Sequence, residues 1–132
     1  MPREIKFRVW DKLEKRFDLN YHLTMDLNGC VHNLQNGAGG EDYEIQQFTG
    51  LLDKNGKEIW EGDVIEEKWA DKSKHLSTVK FGFHEAPCSQ LIGVGWFHEP
   101  INESWRESNV FTEKTKHLKV IGNIYQNPEL LK

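Results

Sequence analysis

The 132-residue chain has a net charge of −4, and 37% of its residues are hydrophobic and 29% are charged. This composition is too apolar for a disordered segment and too polar for one that spans a membrane. A chain of this length can bury a core of its own without a disulfide or a metal. The sequence therefore predicts one globular domain over residues 1–132.

The amino terminus and the cysteines bear on the cellular compartment. Met1 to Glu4 leads into no apolar signal segment, and no stretch approaches the 18 apolar residues of a membrane helix. Cys30 and Cys88 lie far apart, without the CxxC spacing of a redox motif. We therefore expect a protein of the reducing cytoplasm, with no membrane partner.

Alternation with a period of two dominates the first segment and predicts a strand over residues 4–10. The face expected to meet the core carries Ile5, Phe7 and Val9. The opposite face carries Lys6, Arg8 and Trp10. A hairpin is predicted over residues 17–35, because Asn28-Gly29 suits the tight turn between its strands.

Residues 36–42 contain three glycines and no large apolar side chain, so we expect the least ordered internal loop there. This loop divides the domain into an N-terminal strand and hairpin over residues 1–35 and a barrel-like part over residues 43–132. Five further strands are predicted, over residues 43–49, 64–69, 76–83, 91–97 and 118–125.

A second hairpin is predicted over residues 51–60, and a terminal helical turn begins after Asn127 with Pro128 at its first position. No window sustains helical periodicity, so strand residues should outnumber helix residues by about two to one. We expect the acids between Asp53 and Asp63 to stay in water. The apolar sides of the strands give a predicted core of Phe7, Val9, Ile45, Ile59, Val64, Val79, Phe81, Ile121 and Ile124.

Charge is segregated along the chain. Residues 1–17 hold six basic residues against three acids, whereas residues 41–71 hold ten acids against three lysines. These opposite fields predict that the strand from Arg3 to Trp10 lies near the acidic stretch of its own chain or of a neighbour.

Three blocks of sequence stand out in chain order: REIKFRVWD at residues 3–11, QFTGLLDKNGKEIWEGDVI at 47–65 and VIGNIYQNPELL at 120–131. Together they resemble the YopX family of phage and prophage proteins. Residues 66–119 carry no family pattern, and Phe48 stands where a tyrosine is expected before Thr49-Gly50. The resemblance implies a mostly β fold, an SH3-like small barrel or roll with an additional N-terminal strand and hairpin, in the cytoplasm of a bacterial host. It transfers no catalytic residue.

Catalytic and metal chemistry is not expected from these residues. Cys30-x-His32 and His84-x3-Cys88 fit no zinc template, so we predict no metal or cofactor. No GxSxG elbow or P-loop is present, and adjacent carboxylates such as Glu66-Glu67 point to opposite faces of a strand. We therefore predict that the protein is not an enzyme.

Two non-catalytic functions remain, and we rank them in this order. The first is an interaction module that forms a homo-oligomer through strand edges and large aromatic side chains. The aromatic candidates for such an interface are Trp60, Trp69, Trp96 and Trp105. The second is a small barrel that binds single-stranded nucleic acid through Lys6, Arg8 and Trp10. The two differ in the expected retention on heparin and single-stranded DNA.

Overall fold

The computed structural model describes residues 4–18, 23–28, 30–33, 40–86, 91–103, 109–110, 115 and 117–132. Its strands are β1 (Phe7–Asp11), β2 (Arg16–Asp18), β3 (Leu23–Met25), β4 (Val31–Asn33), β5 (Tyr43–Leu52), β6 (Glu58–Trp60), β7 (Asp63–Lys68), β8 (Lys74–Ala86), β9 (Leu91–Pro100), β10 (Asn109–Val110) and β11 (Leu118–Asn123). Two short 3-10 helices, Gly40–Asp42 and Pro128–Leu131, are the helical segments among these residues. The predicted excess of strand over helix is confirmed for this part of the chain.

The described strands form two main sheets that curl into half a barrel. One sheet has the order β2-β1-β5-β6 and the other the order β10-β9-β8-β7-β11, while β3 and β4 pair separately. All of these pairings are antiparallel. The N-terminal strand β1 is thus a central strand, because it lies between β2 and β5.

Most predicted elements are found, with shifted limits. The hairpin over residues 51–60 forms between β5 and β6, and the expected strand over 91–97 runs on to Pro100. The hairpin over 17–35 was wrong in part, because residues 16–18 pair with β1 and only β3 and β4 pair with each other. The loop predicted over 36–42 lies largely outside the described residues.

A cluster of buried side chains from β6, β7, β8 and β11 forms the apolar core. Its members are Ile59, Ile65, Val79, Leu118 and Val120, with Leu51 and Trp96 packed against them. Of the nine predicted core residues, Phe7 and Phe81 were wrong, since they are 47% and 52% exposed. Phe7 faces outward because the opposite face of β1 points inward, where Trp10 is only 6% exposed.

Two turn acids that we expected in water are buried instead. Asp53 and Asp63 are 4% and 3% exposed, because N–H donors of the protein replace the water around them: backbone groups for Asp53, and two side chains and one backbone group for Asp63. The Asp53 carboxylate accepts hydrogen bonds from Asn55 N (2.8 Å), Lys57 N (2.9 Å) and Val120 N (2.9 Å). Burial alone would raise the pKa of Asp53, but these three donors outweigh it and the pKa is lowered. Asp53 thereby joins the β5–β6 turn to β11.

Acid should weaken the fold through Asp53. A carboxylate with a lowered folded-state pKa stabilises the native state above its unfolded pKa, and that stability is lost as the pH falls through the folded value, below about pH 4. We expect Asp53→Asn to unfold in less urea than the wild type at pH 7 and to lose less further stability between pH 5 and pH 2. Parallel pH profiles for the two proteins would contradict this role.

Gly62 should tolerate alanine far less well than Gly56. Both have a positive φ, +81° and +79°, but a Cβ at Gly62 would lie 2.4 Å from Gln46 Nε2, whereas a Cβ at Gly56 meets open space. Gln46 is itself buried and cannot move aside freely. We expect Gly62→Ala to cost about 1–3 kcal/mol more than Gly56→Ala, measured by urea unfolding. Equal losses would show that Gln46 yields without cost.

Candidate functional site

The structure places the candidate surface residues Lys6, Arg8 and Trp10 on the inward face of the N-terminal segment. Lys6 Nζ pairs with Glu58 and Arg8 Nη2 lies 2.7 Å from Asp63 Oδ1. The predicted proximity of the basic strand to the acidic stretch is therefore confirmed, within one chain.

Trp10 is covered by two aromatic rings. Its ring stacks on Tyr125 with centroids 5.8 Å apart, and Phe17 meets it edge-on at 5.0 Å. Because base stacking needs an open ring face, Trp10 does not offer the exposed platform that the nucleic-acid alternative uses.

A buried polar network surrounds Asp63. Its Oδ1 accepts hydrogen bonds from Arg8 Nη2 (2.7 Å) and Asn123 Nδ2 (3.0 Å), and its Oδ2 accepts one from Trp60 N (2.8 Å). Gln46 Oε1 accepts from Arg8 Nε (2.9 Å) and from Asn123 Nδ2 (3.0 Å). Burial raises the pKa of Asp63, and the charge of Arg8 and the N–H donors oppose that rise.

This network draws the three resemblance blocks together. Arg8 belongs to the first block, Asp63 to the second and Asn123 to the third. The guanidinium of Arg8 also lies over the rings of Phe17 (4.1 Å) and Trp60 (4.8 Å). The contact between the two sheets therefore accounts for Arg8, Asp63 and Asn123 in the three blocks.

Replacing Arg8 in the buried network should cost more stability than replacing a residue of an exposed ion pair. We expect Arg8→Met to cost about 3–5 kcal/mol, because it leaves a buried carboxylate without its cation. Lys12→Met removes an exposed pair with Glu44 (2.8 Å), which solvent screens, and should cost far less than Arg8→Met. The loss in Arg8→Met should shrink as the pH falls, since protonation removes the unpaired charge of Asp63. Urea unfolding between pH 4 and pH 8 measures it, and similar costs for the two variants would contradict the network.

Beside the network lies an open cleft with a volume of about 300 Å³. Its lining consists of Glu44, Ile45, Gln46, Glu61, Gly62, Val79, Lys80, Phe81, Ile124 and Tyr125. These residues come from β5, the β6–β7 turn, β8 and the segment after β11, so four separate stretches of chain meet there. The cleft has apolar, aromatic and charged walls.

The ionisable groups of the cleft are unevenly paired. Glu44 pairs with Lys12, and Lys80 pairs with Glu99. Within the described ranges, Glu61 has no cation within salt-bridge distance, and its Oε1 accepts a hydrogen bond from Gln47 N at 3.4 Å. Burial raises the pKa of the half-buried Glu61 carboxyl, and the Gln47 N–H opposes the rise.

The phenol of Tyr125 lies close to two of these carboxylates. Burial raises its pKa, and the negative charges of Glu44 and Glu61 raise it further, whereas Lys12 lowers it. Tyr125 is therefore neutral at physiological pH and forms an aromatic wall of the cleft.

Among the described strands, none pairs with the edge of β8 that borders the cleft. β7 pairs with β8 only as far as Thr78, whereas β9 pairs with β8 to Ala86. Past Thr78, the Gly62 N–H donates to Val79 O (2.9 Å), and no described strand follows on that side. Phe81 lies on this stretch, is 52% exposed and contacts Trp96 edge-on at 4.9 Å.

A cluster around His75 was missed in the sequence. Ser73 Oγ lies 2.8 Å from His75 Nε2, and His75 Nδ1 lies 2.8 Å from Glu103 Oε2. This order of groups resembles a nucleophile, a base and an orienting acid. However, the Ser73 hydroxyl also contacts the Asp71 carboxylate, which competes with His75 for its proton. The spacing Ser73-x-His75 is visible in the sequence, but the contact with Glu103 is not.

The structure describes only some of the side chains that were weighed for metal binding. Cys30 is exposed, and His32 Nε2 lies 3.3 Å from Asp26 Oδ2. Cys88 lies outside the described residues. In the part of the chain that the structure covers, no group of three or more metal-ligating side chains occurs.

Comparisons with known proteins support the family resemblance. Residues 6–132 match the family model described as YopX protein. A crystal structure of protein EF1440 from Enterococcus faecalis superposes with a TM-score of 0.62 at 23% identity, covering 99% of this chain and 100% of that one. A search of curated proteins found no match. No helix among the described residues is long and apolar enough to cross a bilayer. Because the family model spans nearly the whole sequence, the chain belongs to the YopX family.

Proposed function

We propose that this chain is a phage or prophage accessory protein of the bacterial cytoplasm, an interaction module without catalytic activity. It associates with further copies of itself through the edge of β8 beyond Thr78. The proposal includes an SH3-like arrangement of the strands in the half-barrel. The unpaired stretch of β8 is the observation that carries this proposal.

An unpaired strand edge offers backbone donors and acceptors to another strand, and is therefore a ready template for pairing with another chain. Two copies of β8 can pair antiparallel about a two-fold axis, because the same edge then serves both partners. Phe81 supplies a large exposed apolar side chain at this edge, next to Trp96. Such aromatic side chains contribute strongly to protein interfaces.

The remaining features fit a binding role better than catalysis. The basic N-terminal strand finds its acidic partners within the chain, so assembly need not depend on surface charge. In the His75 cluster, the contact of Ser73 with Asp71 works against its use as a nucleophile. Of the tryptophans considered for an interface, Trp69 is 36% exposed.

Light scattering of the full chain tests the proposal. We expect a dimer or larger species at micromolar concentration, and we expect Phe81→Ser to reduce the mass to that of a monomer. Phe7→Ser is the matched control, because Phe7 is 47% exposed on a strand of the other sheet. It should leave the mass unchanged, and thermal unfolding should show that both variants are folded.

A monomeric wild type at every concentration and salt would overturn self-association. In that case, retention on heparin and single-stranded DNA at low salt would favour the nucleic-acid alternative. Equal loss of assembly in the Phe7 and Phe81 variants would place the contact away from β8.

A further inference from the structure

The geometry points to a binding site in the cleft for a lysine or arginine side chain carried by an extended protein segment. The segment pairs with the edge of β8 beyond Thr78, and its cationic side chain reaches the carboxylate of Glu61. The entry by strand pairing rests on the proposed function, whereas the cation site itself rests on the cleft.

Among the charged residues that line the cleft, Glu61 is the one to which the described residues supply no opposite charge. The other charged lining residues, Glu44 and Lys80, each have an opposite charge within the chain. Glu61 is half-buried, and among the described residues its carboxylate accepts one weak hydrogen bond, from Gln47 N. A half-buried carboxylate without a counter-ion is costly, and a cation from a partner would remove that cost.

The walls of the cleft fit the rest of such a side chain. Phe81 and Tyr125 are aromatic, and aromatic faces attract ammonium and guanidinium groups. Ile45, Val79 and Ile124 give apolar contact for the methylene stem. A volume of about 300 Å³ is at the lower end for ligand sites, which suits one side chain better than a large cofactor.

The position of the cleft explains why the cation should come from an extended segment. Lys80 and Phe81 line the cleft and also lie on the unpaired stretch of β8. Alternate side chains of an added strand point to one face. One of them can therefore enter the cleft while the backbone pairs with β8, the arrangement of peptides that add a strand to a sheet.

NMR titration with a short extended peptide tests the site. The probe is acetyl-Thr-Val-Lys-Val-Thr-amide, and its neutral control carries norleucine in place of lysine. We expect the lysine peptide to shift the amide signals of residues 61–62, 80–82 and 124–125. We expect binding about tenfold weaker or worse for the norleucine peptide and for Glu61→Gln.

Glu41→Gln serves as the matched variant, because Glu41 is exposed and does not line the cleft. It should bind the lysine peptide like the wild type. Binding should also weaken as the pH falls through the raised pKa of Glu61, which shares the cleft with the charged or titratable residues Glu44, Lys80 and Tyr125.

Equal affinity of the two peptides, an unchanged affinity in Glu61→Gln, or no shifts around the cleft would overturn the site. Its failure is separable from failure of the proposed function. A monomeric protein that binds the lysine peptide through Glu61 keeps the site and loses self-association. Self-association would cover the same edge of β8, so the titration is made at a concentration at which light scattering shows a monomer. A protein that assembles at higher concentration but ignores the peptide under these conditions keeps self-association and loses the site.

Discussion

The fold depends on how one buried carboxylate is satisfied. Asp63 sits where the two sheets meet, and its donors come from β1, β6 and β11. A buried ion pair adds little net stability, because desolvation offsets most of the attraction, but leaving one partner alone is expensive. The pair therefore acts mainly by fixing which strands lie together. Through Gln46, the same network contributes to the lining of the cleft, so the candidate site adjoins a buried, hydrogen-bonded part of the fold.

The alternation of apolar and polar residues predicted the strands well, yet it could not show which face of β1 is buried. Both faces of that segment carry large side chains, Ile5 and Phe7 on one and Arg8 and Trp10 on the other. Hydrophobicity alone favours the first face. The second is buried because Arg8 reaches a carboxylate 55 residues away, a partner that local sequence does not reveal. The turn acids were misplaced for a similar reason, since backbone N–H groups replace water only once the turn has folded.

The candidate site, too, could be predicted from the sequence only in part. Charge segregation was enough to predict that the first strand approaches the acidic stretch. The cleft could not be predicted, because its lining comes from four stretches that the curl of the sheets brings together. The open edge of β8 was also hidden, since it results from the unequal lengths of β7 and β8 rather than from any residue type. Among the side chains, only the exposed Phe81 indicates where the open edge of β8 lies.

The contact between the β5–β6 turn and β11 has a consequence for how the sheet can grow. Along this margin, Asp53 accepts the Val120 N–H and the Lys54 N–H donates to Leu118 O. A turn therefore occupies the backbone groups that an incoming strand would need. A strand from another molecule would have to displace that turn before it could pair with β11. The turn therefore opposes fibre-like stacking of strands at this edge, although the barrel is not closed.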